Sequence, residues 1–137
     1  MRLIQPPLLL SKFYSRRWWR MKTNEKKVYL TFDDGPIDQV TPWVLDVLKE
    51  FKVKGTFFCI GNNIRKNPEI FMRILREGHS TGNHTFHHVN GKKTPISTYL
   101  EEVEQTDILI EDILKRNNID LPDTKLFRPP YGRITKK

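Results

Sequence analysis

The sequence predicts an α/β fold in which parallel strands alternate with helices. Two apolar runs rich in β-branched and aromatic residues, VYLTF at 28–32 and GTFFCIG at 55–61, are typical of buried strands. An amphipathic segment with a helix-start signal follows each of these two runs, and two acidic residues directly follow the first run. The order is β-α-β-α-β-α-β, so we expect four parallel strands joined by helical crossovers.

The first two helices are predicted from cap-then-proline starts. Thr41-Pro42 offers an N-cap and a proline at the first helical position, and Asn67-Pro68 repeats this pattern. Gly78 ends the second helix. The apolar stripes expected to face the core are Val44, Val47, Leu48 and Phe51 in the first helix and Ile70, Phe71, Ile74 and Leu75 in the second.

The remaining elements are a short strand, a long helix and a final strand. The third strand is expected at about 80–83. Thr98 and Glu101 form a possible capping box for the long helix, and Leu126 and Phe127 begin the fourth strand. The residues of the long helix expected to point inward are Leu100, Val103, Ile110, Ile113 and Leu114.

Composition divides the chain into a basic leader and a nearly neutral body. The chain has 137 residues and a formal net charge of +8, and residues 1–27 carry eight basic residues against one acidic residue. We therefore predict a leader at 1–27 and one domain at 28–137. A single cysteine, Cys59, excludes an internal disulfide and a cysteine zinc cage. The sequence makes no prediction about oligomeric state.

The leader resembles neither a secretory signal nor a membrane span. Pro6 and Pro7 interrupt its apolar stretch, Lys12 follows soon after, and the chain has no apolar run of about 18 residues. We expect the leader to pack on the body, with contact at a membrane surface as an alternative. A nucleic-acid partner is not expected. The expected location is the cytoplasm or the cell envelope.

Two acidic residues stand at the end of the first predicted strand. Asp33 and Asp34 are followed by Gly35-Pro36, which turns the chain. Adjacent carboxylates there are costly unless a metal or an arginine pairs with them. Because successive strand side chains point to opposite sides, the two acids can have different roles. The alternative is an ordinary Asp-Gly turn.

All four histidines lie within ten residues, at His79, His84, His87 and His88. The spacing of four between His84 and His88 lets both imidazoles reach one ion, and two histidines with one carboxylate are a recurrent set for a catalytic metal. His79 is expected to make a structural hydrogen bond, and His87 to face solvent or support a ligand.

The third cluster, RPPYG at 128–132, follows the fourth predicted strand. Pro129 and Pro130 fix the backbone and remove two donors, so the N–H of Tyr131 is held in a defined direction, as an oxyanion hole requires. Arg128 could pair with one aspartate. The alternative is a stiff turn.

These three clusters together resemble the motifs of the polysaccharide deacetylase family, also called the NodB homology domain or carbohydrate esterase family 4. TFDDGP at 31–36, HTFHH at 84–88 and RPPYG at 128–132 resemble its first three motifs. The resemblance implies a distorted (β/α) barrel of about seven strands. It also implies hydrolysis of N-acetyl or O-acetyl groups on a polysaccharide such as chitooligosaccharide, peptidoglycan or xylan.

The resemblance also implies roles for individual residues. Asp34, His84 and His88 would bind a divalent metal, usually zinc, although cobalt, nickel and iron accept the same ligands. Asp33 would be the general base, and Arg128 would hold it charged and oriented. The backbone N–H of Tyr131 would stabilise the oxyanion.

The family's later motifs, including a histidine that protonates the leaving amine, do not occur in these 137 residues. We therefore expect about four of the seven strands, an incomplete domain that is marginally stable alone, and lowered or absent activity. The alternatives are a non-catalytic module that binds a metal or glycan, and a surface binder that acts through its basic leader.

Overall fold

A three-stranded parallel sheet forms the centre of the fold. The computed structural model describes residues 26–133, in which β1 (Leu30–Asp33), β2 (Gly55–Cys59) and β3 (Ser80–Asn83) lie in that order. Asp33 pairs with Phe58, and Phe58 pairs with Gly82. The carboxyl ends of the three strands therefore lie side by side.

Four helices and a short turn complete the described part of the chain. They are α1 (Val40–Glu50), α2 (Gly61–Lys66), α3 (Pro68–Arg76), α4 (Ile96–Arg116) and a 3-10 turn at Pro130–Gly132. α1 connects β1 to β2, and α2 and α3 connect β2 to β3, so both connections return the chain to the next parallel strand. None of these helices has the length and apolar character of a membrane span.

The core lies between the sheet and the helices. Phe57 and Cys59 of β2 share one face of the strand and contact buried side chains of α1, α2 and α3, while α4 adds partly buried residues. The buried members from the three helices are Leu45, Leu48, Ile64, Phe71 and Ile74. Phe58 points to the opposite face because strand side chains alternate, and that face carries the acidic end of β1.

Two predicted elements are confirmed closely. The third strand occupies Ser80–Asn83, and α3 begins at Pro68 after Asn67. Gly78 follows α3 with φ of 74°, a conformation that glycine adopts without strain. The apolar stripe predicted for α3 is also confirmed, since Ile70, Phe71 and Ile74 are buried.

The first strand and the first helix differ from their predictions. β1 begins at Leu30 rather than Val28 and is largely exposed, because it is the edge strand of the described sheet. The helix begins at Val40, so Thr41 is not its N-cap; the Thr41 hydroxyl instead accepts the N–H of Ile37. Phe51 lies beyond the helix and is exposed, contrary to the prediction.

The second and fourth helical regions contain further corrections. GTFFCIG is not all strand, because Gly61 begins α2, which the sequence did not predict. The capping box of Thr98 and Glu101 is wrong, since α4 begins at Ile96 after Pro95, whose fixed φ suits a helix start. Leu100 is exposed, and its buried neighbour Tyr99 faces the core instead.

The fourth strand is not formed within the described residues. Phe127 makes only an isolated bridge with Asn83, and Pro129 and Pro130 follow without the N–H groups that a ladder needs. The described sheet therefore has three strands rather than four, and these strands do not close a barrel. The predicted leader lies outside the described residues apart from Lys26 and Lys27, so its packing and the boundary at residue 27 remain predictions.

Candidate metal centre

Asp34 lies directly after β1 in a backbone conformation unusual for its residue type. Its φ of 69° falls in the left-handed region, which costs energy in residues other than glycine. Side chains from the next helical region hold the turn: Asn63 donates to the carbonyl of Asp34 at 2.7 Å, and Asn67 donates to the carbonyl of Pro36 at 3.2 Å. The Asp34 carboxylate is half exposed.

His84 follows β3 and is almost completely buried. Its backbone N–H donates to the carbonyl of Cys59 at 3.0 Å, which continues the pairing of β2 with β3. Its Nδ1 lies 2.6 Å from the carbonyl oxygen of Arg128. A carbonyl only accepts, so Nδ1 carries the proton and Nε2 of the neutral ring keeps a free lone pair. Burial lowers the pKa of His84, which favours this neutral form.

His88 ends a short loop that begins at His84. It has φ of 57°, and Thr85 in the same loop has φ of 61°. The His88 ring lies between two other rings, with centroid distances of 5.0 Å to His84 and 4.6 Å to Tyr131. The loop therefore returns the second imidazole to the side of the first.

The three side chains Asp34, His84 and His88 converge on one point. Asp34 Oδ1 lies 3.4 Å from His84 Nε2 and 3.2 Å from His88 Nε2. Within residues 26–133 they form the one cluster of His, Cys, Asp and Glu side chains that could hold a metal ion. Two ligands of a tetrahedral zinc ion, each about 2.1 Å from it, are roughly 3.4 Å apart.

The chemistry of these donors also fits a cation. Asp34 and the Nε2 atom of neutral His84 are both acceptors, and acceptors that face each other at 3.4 Å repel unless a positive charge lies between them. The donor set of two imidazoles and one carboxylate suits zinc and several other first-row metals. The site geometry is therefore compatible with the metal that the sequence predicts.

Asp33 and Arg128 lie beside this cluster on the face of the sheet opposite the core. Arg128 Nη1 donates to Asp33 Oδ1 at 2.7 Å and to the Thr31 hydroxyl at 3.0 Å. The guanidinium group lies 4.1 Å from the centroid of the Phe58 ring, which supports it from below. These contacts hold the Asp33 carboxylate in one orientation.

Tyr131 occupies the middle of the turn that follows Arg128. Its φ of 58° departs from helical geometry, and its side chain is exposed next to His88. Pro130 before it is buried and anchors the turn. The turn thus places the Tyr131 ring beside His88. The role of the Tyr131 backbone N–H as an oxyanion donor remains a prediction.

The other two histidines lie away from the cluster. His79 is buried, and its Nδ1 accepts the backbone N–H of Gly55 at 3.1 Å, which confirms the structural hydrogen bond expected for it. Burial lowers the pKa of His79. The His87 side chain is 54% exposed and binds Glu102, so the expectation of a solvent-facing residue is confirmed.

Sequence reasoning missed several side chains that shape the site. Asn83 is buried and accepts the N–H of Thr85 at 2.8 Å, and its amide donates to Asp107 of α4 at 2.7 Å. Glu102 of α4 binds His87, as described above. The sequence motif GNH contained Asn83, but its partners on α4 lie 20 and 24 residues away and left no local signal.

A parallel α/β sheet with a His-His-Asp cluster at its strand ends is an arrangement suited to metal-assisted hydrolysis. Residues 20–137 match the sequence pattern of the polysaccharide deacetylase family. The chain belongs to this family, whose members are hydrolases.

Individual relatives support this assignment. The chain is 46% identical over 111 residues to a peptidoglycan-N-acetylglucosamine deacetylase from Bacillus cereus, covering 81% of this chain and 38% of that protein. It is 34% identical over 113 residues to a chitooligosaccharide deacetylase from Azorhizobium caulinodans, covering 82% and 51%. The structure of the peptidoglycan deacetylase PdaC from Bacillus subtilis matches with a TM-score of 0.72 and 38% identity, covering 82% and 52%.

The chain thus spans about half or less of the length of these relatives. The chain shares the family and the fold type of these relatives.

Proposed function

We propose that this chain contributes the metal site and general base for hydrolysis of acetyl groups on a polysaccharide. The observation that carries the proposal is the convergence of Asp34, His84 and His88, whose candidate ligand atoms lie within 4.8 Å of one another, beside a separate carboxylate at Asp33. A metal site and a second, independently held carboxylate are two of the components that metal-assisted hydrolysis of an amide uses.

In this proposal Asp34, His84 and His88 hold a divalent metal, with zinc as the first choice. A bound zinc ion supplies a Lewis acid that lowers the pKa of water and polarises a carbonyl group. The hydrogen bond from His84 Nδ1 to the Arg128 carbonyl fixes the ring so that Nε2 faces the site. Cobalt, nickel and iron are alternatives because they accept the same donors.

Asp33 is the proposed general base. Arg128 occupies Asp33 Oδ1, which leaves the second carboxylate oxygen to take a proton from the attacking water. The Thr31 contact and the Phe58 ring keep Arg128 from turning away. The Tyr131 amide is the proposed donor to the developing oxyanion.

The proposed substrate is an acetylated amino-sugar polymer. Relatives named as deacetylases of peptidoglycan N-acetylglucosamine and of chitooligosaccharide favour the N-acetyl group over the O-acetyl group. Peptidoglycan is the first choice because several relatives carry that name. Such a substrate is consistent with a location at the cell envelope.

The adjacent aspartates provide a matched test. The full chain is loaded with zinc, and zinc content and acetate release from N-acetylchitooligosaccharide and from peptidoglycan are measured in parallel. Asp34→Asn should lose zinc and activity together. Asp33→Asn should keep zinc and lose at least about 100-fold in rate, since a positioned base contributes about 10² to 10⁴.

Each other outcome has a definite meaning. A wild-type chain that binds no zinc refutes the metal site, and an Asp33→Asn variant with unchanged rate refutes the base. Stoichiometric zinc without acetate release from either substrate supports the alternative, a non-catalytic module that binds a metal or glycan.

A further inference from the structure

The His84–His88 loop carries two of the proposed metal ligands and is held at several points. The carbonyl of Thr85 accepts the N–H of Gly61 at 3.0 Å, and the carbonyl of Phe86 accepts the N–H of Asn62 at 2.9 Å. These bonds attach the first part of the loop to the start of α2. The N–H of Val89, the residue after His88, donates to the Thr85 hydroxyl at 3.2 Å. These three bonds do not involve His87.

Glu102 of α4 attaches His87. Its Oε2 accepts the backbone N–H of His87 at 2.6 Å, and its Oε1 accepts the ring Nδ1–H of the same residue at 2.8 Å. The Glu102 side chain is only 12% exposed, and both of its carboxylate oxygens accept bonds from His87. A carboxylate that accepts two such bonds fixes both the backbone and the ring of His87.

Glu102 is itself held by the core. Its backbone carbonyl accepts the hydroxyl of Thr106 at 3.0 Å, and Thr106 is completely buried. The next residue along the loop, His88, has the left-handed φ of 57° that brings its ring toward Asp34. Such a conformation persists when surrounding contacts determine it.

We propose that Glu102 is a positioning residue for the candidate metal centre, which fixes the His88 ligand through its two hydrogen bonds with His87. This inference rests on the proposed metal role of His84 and His88. A residue of α4 therefore contributes to metal affinity, although α4 supplies none of the three ligands.

Zinc affinity and loop exchange test this proposal in the full chain. Loss of a group that orients a metal ligand typically costs 10- to 100-fold in affinity. We expect about tenfold for Glu102→Ala, because Glu102 acts through His87. Glu102→Gln keeps one acceptor oxygen and should lose less. Glu104→Ala removes the same charge from an exposed position of the same helix and should bind zinc as the wild type does.

Amide hydrogen exchange of the metal-free protein provides the second readout. The peptide covering residues 84–89 should exchange faster in Glu102→Ala than in Glu104→Ala, whereas the thermal unfolding midpoints of the two variants should differ little. This separates loop positioning from general stability.

Equal zinc affinity and equal loop exchange in Glu102→Ala and Glu104→Ala would overturn the proposal. If Glu102→Ala does not fold, Glu102→Gln decides, and wild-type affinity with wild-type exchange would count against Glu102. A wild-type chain without zinc binding refutes the proposed metal site, and loop exchange then still decides whether Glu102 fixes the loop.

Discussion

Gly61, the first residue of α2, lies where no side chain fits. A Cβ atom built there would lie 2.7 Å from Thr106 Oγ1 and 3.0 Å from Phe86 Cε2, with Phe86 Cδ2 closer still. Favourable contacts between carbon atoms begin at about 3.5 Å. Gly61→Ala therefore requires movement of roughly 0.5 Å or more in its neighbours.

Neither neighbour moves freely. Phe86 is 3% exposed and Thr106 is fully buried, with its hydroxyl bonded to the Glu102 carbonyl. Overpacking of this kind costs about 1–3 kcal/mol, and the better helix propensity of alanine returns up to about 1 kcal/mol. We expect Gly61→Ala to lower the free energy of unfolding by about 1–2 kcal/mol, which lowers Tm by roughly 4–10 °C.

The same change should weaken zinc binding, because Gly61 N–H and Asn62 N–H hold the carbonyl groups of Thr85 and Phe86. Thermal unfolding followed by circular dichroism measures the first effect, and zinc titration measures the second. Asn62→Ala is the control, since it changes the next residue of α2 without a buried contact and should stay within about 0.5 kcal/mol of wild type. A Gly61→Ala variant as stable as Asn62→Ala would refute the steric reasoning.

Three further predictions concern the site and the core. Arg128→Lys should lower kcat for acetate release by at least about tenfold, because an ammonium group lacks the planar guanidinium that lies on the Phe58 ring while it binds Asp33. The loss of stability should stay below about 1 kcal/mol for this partly exposed pair, and an unchanged kcat would contradict the prediction. Burial raises the pKa of the Cys59 thiol. A disulfide reagent at pH 8 should therefore modify Cys59 only after denaturation, and rapid modification of the folded protein would contradict the burial of Cys59. Asn83→Asp replaces the buried donor to Asp107 with an acceptor and should cost about 1–3 kcal/mol in urea unfolding. The added change Asp107→Asn should recover part of this loss, and no recovery would argue against the contact.

Elements with local start and stop signals could be predicted from the sequence. Asn67-Pro68 and Gly78 mark the two ends of α3, and local chemistry alone places it. α2 could not be predicted in this way, because it begins at Gly61, and the sequence pattern GTFFCIG also allows that glycine to end a strand. Only the contact of Gly61 with Phe86 and Thr106 explains why glycine is needed there.

The location of the site could also be predicted, whereas its supporting contacts could not. Parallel strands end at one edge of a sheet, and this rule places Asp34 near His84. The exposure of Leu100 and the role of Glu102 depend on how α4 is rotated against the sheet. A helix that carries apolar residues on several sides does not fix that rotation by its sequence pattern.

Backbone strain is concentrated at the strand ends. Among the described residues, seven residues other than glycine have positive φ, and four of these are Asp34, Thr85, His88 and Tyr131. Each such conformation costs on the order of 1 kcal/mol or more and persists only where neighbouring contacts determine it. Here those neighbours include Asn63 at Asp34, Asn83 at Thr85 and Glu102 beside His88.

Each of these supporting bonds joins two groups of the protein, so the fold itself contributes to the geometry of the candidate ligands. The bonds from Asn63 of α2 and Glu102 of α4 join residues of the site to side chains of other elements, so they require both helices to be packed on the sheet. Metal affinity should therefore follow the packing of these helices. Substitutions at their contacts should weaken zinc binding even where no ligand is changed.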